Sequence, residues 1–208
     1  MNEHIIHVYP GINQIFSVPV FVSEEEYVLS EKQKEIILNE ERQINAHNFS
    51  SVDSNVLDNP KLKRLKEFCK DQIDYYVHAL LKIINCEFYI TQSWTNYTET
   101  NQSHHQHTHG NSVVSGVYYI APEISTIVFY RREELFPSFK FNYESYDANT
   151  SLSMKIQVPK NRLILFPSCL PHSVEDYKNQ ETRISVALNT FIKGSLGEYD
   201  GKTLLKLE

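Results

Sequence analysis

The chain has 208 residues, enough for one medium-sized domain with a full core. Its net charge is −6, from 20 basic and 26 acidic residues without a polybasic run, which speaks against a nucleic-acid partner or an anionic-membrane surface. Three cysteines without CxxC spacing argue against a disulfide framework or a zinc knuckle, and no stretch approaches the ~20 apolar residues of a membrane span. The first residues, MNEHIIH, carry neither the cationic nor the long apolar region of a secretion signal, so the expectation is a cytoplasmic protein.

Residues 15–22 (IFSVPVFV) read as a short strand, with Pro19 placing it at a sheet edge or a strand start. Residues 31–44 (EKQKEIILNEERQI) read as a charged surface helix, followed by a polar, irregular stretch over 45–58. Asn59 and Pro60 then form a helix start, a cap followed by proline in the first turn. From Leu62 to Ile84 apolar residues recur at three- and four-residue steps, which predicts an amphipathic helix of about six turns covering one face of a sheet. From residue 87 the period changes to two, with strands expected over 87–98, 112–120, 125–130, 153–158, 162–166 and 182–192. The stretch 131–152 is the least regular and reads as a long loop, a candidate substrate lid through Arg131, Arg132, Tyr143 and Tyr146.

Helices first and strands afterwards predict an α+β chain, mainly β, closed as an antiparallel barrel or sandwich. The expected organisation is one domain over 1–208: residues 1–86 as an N-terminal strand with helical support, and 87–195 as the barrel core.

Chemistry concentrates in two places. Four histidines lie in Ser103-His104-His105-Gln106-His107-Thr108-His109-Gly110, and a fifth, His172, follows Phe166-Pro167-Ser168-Cys169-Leu170-Pro171. Residues two apart on a strand face the same side, so a His-x-His pair can reach one metal ion, and a third ligand from a distant strand closes one face of an octahedron. The competing reading is a solvated polar loop. Arg183 follows His172 by eleven positions, room for a turn over 177–181 and a return strand. Arg183 and Ser185 then face the same side, towards the interior that holds His172. A buried guanidinium needs a carboxylate, and a ligand carboxylate serves where the protein supplies none.

Trp94-Thr95-Asn96, His107-Thr108-His109-Gly110-Asn111-Ser112 and Ser115-Gly116-Val117-Tyr118-Tyr119 resemble the phage and marine-bacterial type of 2-oxoglutarate/Fe(II) oxygenase, similar to prolyl hydroxylases. So do Leu165-Phe166-Pro167-Ser168, His172-Ser173-Val174, Arg183-Ile184-Ser185 and the opening Ile15-Phe16-Ser17-Val18-Pro19-Val20. The resemblance implies a double-stranded β-helix (a cupin-like jelly roll) with N-terminal helices packed on one sheet. It implies Fe(II) held by His107, His109 and His172. It also implies 2-oxoglutarate with its distal carboxylate held by Arg183 and Ser185 and helped by Tyr119, and Asn96 as a further cofactor-binding polar residue on the strand before the first ligand. The implied reaction oxidises a C–H bond of a small molecule or peptide residue and releases succinate and CO₂.

One departure stands out: His109 occupies the position where most of the wider superfamily carries a carboxylate, and no Asp or Glu lies from residue 100 through 122. The register His105 with His107 has the same chemistry but fits the following strand less well. Without His109 as a ligand, the site would resemble those of halogenating relatives. Two other classes compete: a three-histidine cupin-type dioxygenase without cosubstrate, and a non-catalytic metal-binding jelly-roll module. No pattern in the chain specifies an oligomeric state.

Overall fold

The computed structural model describes Pro10, residues 17–133 and residues 137–208. The described residues form twelve strands and two α-helices: β1 (Phe21–Val22), α1 (Glu31–Leu38), β2 (Arg42–Asn45), β3 (Asn48–Ser51), α2 (Lys63–Asp74), β4 (Cys86–Thr98), β5 (His104–His107), β6 (Val114–Ala121), β7 (Ile124–Tyr130), β8 (Ser153–Pro159), β9 (Leu163–Pro167), β10 (His172–Val174), β11 (Arg183–Leu196) and β12 (Leu205–Leu207). Two antiparallel sheets face each other as a jelly roll. The larger runs β1-β9-β6-β11-β4-β3-β2, with β12 added to β11, and the smaller runs β5-β10-β7-β8.

Period-two alternation on the larger sheet separates two apolar clusters. On β11, Ile184, Val186 and Leu188 point to the helical side; they join Tyr118 of β6, Leu163 and Leu165 of β9, and Leu65, Phe68, Cys69 and Ile73 of α2. The opposite phase faces the smaller sheet, where Tyr119, Ile164 and Phe166 meet Ile127, Phe129, Val158 and Leu170. A one-residue slip would exchange these faces and carry Arg183 and Ser185 out of the barrel.

The N-terminal half departs from the sequence expectation in three places. Residues 15–16 lie outside the described residues, and of the strand expected over 15–22 only Phe21–Val22 forms, paired with β9. The helix expected over 31–44 stops at Leu38. Ser30 and Gln33 cap its start reciprocally, and Arg42–Asn45 pairs instead with Asn48–Ser51 as a hairpin. The hairpin is a tertiary effect: β3 pairs with β4 (Phe49 opposite Tyr97), and the Arg42 guanidinium sits 3.8 Å over the Tyr97 ring. Its turn holds Ala46 at φ 53°, a conformation that no hydrophobic pattern announces. The third departure is the long helix. Asn59 caps through Lys61 N–H, Pro60–Leu62 makes one 3₁₀ turn, α2 follows, and Tyr75–Leu80 widens into a π turn.

Among the later strands, β5, β10 and β12 are too short for a periodicity to reveal, and β11 runs four residues past the expected end. Among the described residues no helix is long and apolar enough to cross a membrane.

Gly116 marks a close approach between β6 and β9. A Cβ there would lie 2.7 Å from Leu165 Cδ2 and 3.2 Å from Leu188 Cδ1. Gly116→Ala is expected to cost about 1–3 kcal/mol by overpacking, and Leu165→Ala about 2–5 kcal/mol by leaving a cavity. In urea unfolding the double variant is expected to lose less than the sum, because the alanine methyl enters the space vacated by Leu165.

Candidate metal centre

His107 ends β5 directly opposite His172 of β10. His109 lies two residues beyond the strand, where its backbone N–H donates to the Ser168 carbonyl at 3.0 Å. These pairings bring His107, His109 and His172 together, with one ring nitrogen from each within 4.8 Å of the others. The Nε2 atoms of His109 and His172 are 3.3 Å apart. His107 Nδ1 lies 2.8 Å from the His105 carbonyl, and His172 Nδ1 lies 3.0 Å from the Leu170 carbonyl. A carbonyl only accepts, so both Nδ1 atoms carry the proton and both Nε2 lone pairs are free for a metal.

His104 and His105 form a second cluster with His107 within the same limit, but that cluster does not include His172. The register His105 with His107 therefore draws on an exposed histidine and lacks the distant ligand. His104 instead lines the barrel cavity with the three central histidines, a position the sequence reading did not assign it.

Burial and mutual repulsion keep these imidazoles neutral. Burial pushes His172 down to about 3 and His109 to about 4. His104 is also lowered to about 3, by burial first and then by His107, His105, His172 and Arg183. His107 is lowered by burial, while its bond to the His105 carbonyl opposes the shift. Neutral imidazole is the ligand form, so no proton need leave these rings at neutral pH for a cation to bind.

Further along the same cavity, Arg183 and Ser185 start β11 with both side chains inside the barrel, and Asn96 and Tyr119 flank Ser185 from β4 and β6. Arg183 is 4% exposed, Tyr119 and Ser185 0% and Asn96 6%. The Arg183 Nη1 is 3.5 Å from Ser185 Oγ, and its guanidinium carbon lies 5.2 Å from the centre of the Tyr119 ring. Burial raises the Tyr119 phenol, and the neighbouring guanidinium opposes that shift. No carboxylate pairs with Arg183 among the described residues. Arg183 Nε, Tyr119 OH and Asn96 Oδ1 are all buried without a hydrogen-bond partner. Two such atoms beside one unneutralised cation, itself with an unpartnered Nε, form an arrangement that a polar ligand could satisfy.

Two neighbours with a place in the cavity were not assigned a role from sequence. Trp94 lines it in phase with Asn96, its ring 5.7 Å from that of His109. Asn189 continues the phase of Arg183 and Ser185 and touches His109. Period two counted onward from Arg183 puts it on the same face, but nothing in the sequence links it to His109. The larger open groove lies elsewhere, between residues 17–20, Phe129–Arg131 and 148–156. It is lined by none of the histidines, whereas the imidazoles and the guanidinium converge in the smaller barrel cavity. The 131–152 stretch borders that groove, held by Arg131 donating to the carbonyls of Ala148, Asn149 and Ser151, and it contributes no described residue to the barrel cavity.

The two-sheet jelly roll with its helices on one face defines the class of fold, a double-stranded β-helix. Residues 92–189 match the sequence profile of a family described as "Putative 2OG-Fe(II) oxygenase". A search of curated proteins finds no match. Among solved structures the chain is similar to an oxidoreductase of the 2OG-Fe(II) oxygenase family from Burkholderia pseudomallei (TM-score 0.58, 8% identity, 82% of this chain and 83% of that one). It is also similar to HygX from Streptomyces hygroscopicus, solved with nickel, 2-oxoglutarate and hygromycin B (0.57, 11%, 83% and 82%). SnoK, a non-haem α-ketoglutarate-dependent carbocyclase of nogalamycin biosynthesis, is similar at 0.55 and 12%, over 89% of this chain and 85% of that one. At these identities the likeness is one of fold.

The lowered imidazoles set a pH dependence. The unfolded chain takes up protons first as pH falls through about 6.5, while the folded rings resist until about 3 to 4. Their contribution to stability is therefore complete above about pH 6.5 and is lost as pH falls towards the folded values. Urea midpoints of the metal-free protein are expected to drop between pH 7 and pH 5, with a shallower slope in His172→Gln.

Proposed function

We propose that this protein is an Fe(II)- and 2-oxoglutarate-dependent oxygenase of the hydroxylase type, oxidising a C–H bond of a small molecule or peptidyl residue. The observation that carries the reading is the meeting, in one cavity, of three neutral imidazoles with a buried guanidinium that no protein acid neutralises. His107, His109 and His172 fit an octahedral metal with one face left open. Arg183 and Ser185, with Tyr119 and Asn96, fit a carboxylate at the other end of a short diacid: the guanidinium offers a fork, and two further orphaned polar atoms wait beside it. When bound, iron with 2-oxoglutarate supplies an oxidant, and succinate and CO₂ leave as coproducts.

The chain's own part is binding, orientation and exclusion of water. The closed barrel behind Ile127, Phe129 and Phe166 keeps solvent from the reacting end. Three neutral ligands leave the metal charge to the dianionic cosubstrate, so ferrous ion is held more tightly once 2-oxoglutarate is present. HygX, solved with hygromycin B bound, supports a small-molecule substrate, whereas the likeness to prolyl hydroxylases supports a peptide. Free thiols at Cys69, Cys86 and Cys169 suit the reducing cytoplasm.

The absence of a carboxylate ligand favours a second reading, a three-histidine cupin-type dioxygenase without cosubstrate. One titration separates the two. Anaerobic addition of 2-oxoglutarate to the Fe(II)-loaded protein is expected to raise a visible charge-transfer band, absent in Arg183→Ala and in His172→Ala. Iron bound without a band in the wild type would overturn the 2-oxoglutarate reading and leave the cosubstrate-free one.

A further inference from the structure

Asn189 is 6% exposed and lies where β4 bulges against β11. It pairs with Gln92, the next residue Thr190 pairs with Ile90, and Thr91 is left as the extra residue, its hydroxyl donating to the Asn189 carbonyl at 3.2 Å. Bulges next to functional sites re-aim side chains. Here the carboxamide reaches His109, with Nδ2 3.4 Å from His109 Nδ1 and Oδ1 accepting from the Ser115 hydroxyl at 2.8 Å. From Ser115 the contacts continue 2.8 Å to Ser168 Oγ, then 2.7 Å to Ser112 Oγ, which donates to the Val114 carbonyl at 3.3 Å.

The oxygen and nitrogen of a carboxamide are interchangeable in outline, and a hydroxyl can donate or accept. Two arrangements therefore fit these positions. With Asn189 donating to His109 Nδ1, the imidazole proton sits on Nε2, and that nitrogen cannot bind a cation. With the carboxamide reversed, His109 Nδ1–H donates to Oδ1, Nδ2 donates to Ser115, and each hydroxyl donates one step further. The far end is the Val114 carbonyl, which only accepts and also takes the Thr190 hydroxyl at 2.8 Å, so the chain is satisfied in either arrangement. The first lets His109 Nε2–H donate to His172 Nε2 at 3.3 Å in the metal-free protein, whereas only the second leaves His109 Nε2 with a lone pair for a cation beside that of His172.

We propose that Asn189 is a positioning residue. Through Ser115, Ser168 and Ser112 it holds His109 as the Nδ1–H tautomer, so that an imidazole can serve as a metal ligand where relatives of the wider superfamily use a carboxylate. The proposal rests on the reading of His107, His109 and His172 as the metal ligands.

Anaerobic titration with cobalt(II) alone, read by its visible ligand-field bands, tests it. Asn189→Leu removes the acceptor at similar size and is expected to weaken cobalt binding about 10- to 100-fold. Asn189→Asp restores an acceptor and is expected to return the affinity to within a few-fold of wild type, a rescue that a packing role would not give. Ser115→Ala leaves Asn189 in place and is expected to fall between them, which keeps the test informative if Asn189→Leu does not fold. Wild-type affinity in both Asn189→Leu and Ser115→Ala, with His172→Ala losing cobalt, overturns this inference and leaves the metal centre standing. Cobalt bound equally well by His172→Ala overturns both.

Discussion

Arg183 is a cation held at 4% exposure on the central strand of the larger sheet, and no acid reaches it among the described residues. Removing an ion from water costs several kcal/mol even after relaxation, of the order seen for buried charges in proteins generally. The fold bears that cost through β11, the longest strand, which is paired on one side with β4 and on the other with β6. Ile184, Val186 and Leu188 fasten the strand to the helical layer, and the same pleat turns Arg183, Ser185, Ala187 and Asn189 the other way. The residues that stabilise the sheet and the residues that form the site are alternate members of one strand.

The two ends of the site come from different sheets. Arg183, Ser185, Tyr119 and Asn96 belong to the larger sheet, whereas His107 and His172 belong to short strands of the smaller one. The separation between the imidazole cluster and the guanidinium is thus set by how the sheets pack. That packing is made by Phe166 and Ile164 on one side and Phe129 and Ile127 on the other, with Phe166 4.7 Å and Phe129 6.2 Å from the His172 ring. The aromatic core therefore both closes the barrel and fixes the ring of His172.

The barrel strands were legible in the sequence because both phases of the larger sheet carry a consistent message, apolar towards the helices and mixed polar towards the cavity. Arg183 and Ser185 could be placed for the same reason, since two residues in phase on a hydrophobic strand share a face. The β2–β3 hairpin was not legible. Residues 42–51 are polar and half-exposed, and the hairpin exists because β4 offers an edge and Tyr97 a ring for Arg42, partners distant in sequence. The strands of His107 and His172 are four and three residues long, too short for a period, so composition pointed to them and register did not. Asn189 was hidden for another reason. An asparagine in an apolar strand carries no chemical label until the bulge at Thr91 and the ring of His109 are seen beside it.

Electrostatics ties these parts together. Among the described residues the cavity has no acidic lining residue and one fixed cation, Arg183, and its histidines are kept neutral by burial and mutual repulsion. Adding a divalent metal alone would raise the positive charge of an enclosed space, and adding a monoanion would leave most of it. On the proposed reading, a short dicarboxylate reaching from the imidazoles to Arg183 would offset most of that charge, with one end at the histidine cluster and the other beside the unpartnered Arg183 Nε, Tyr119 OH and Asn96 Oδ1. On the proposed reading, His109 in place of a carboxylate ligand would shift charge neutralisation from the protein to the cosubstrate, which would make metal and cosubstrate binding mutually reinforcing through electrostatics.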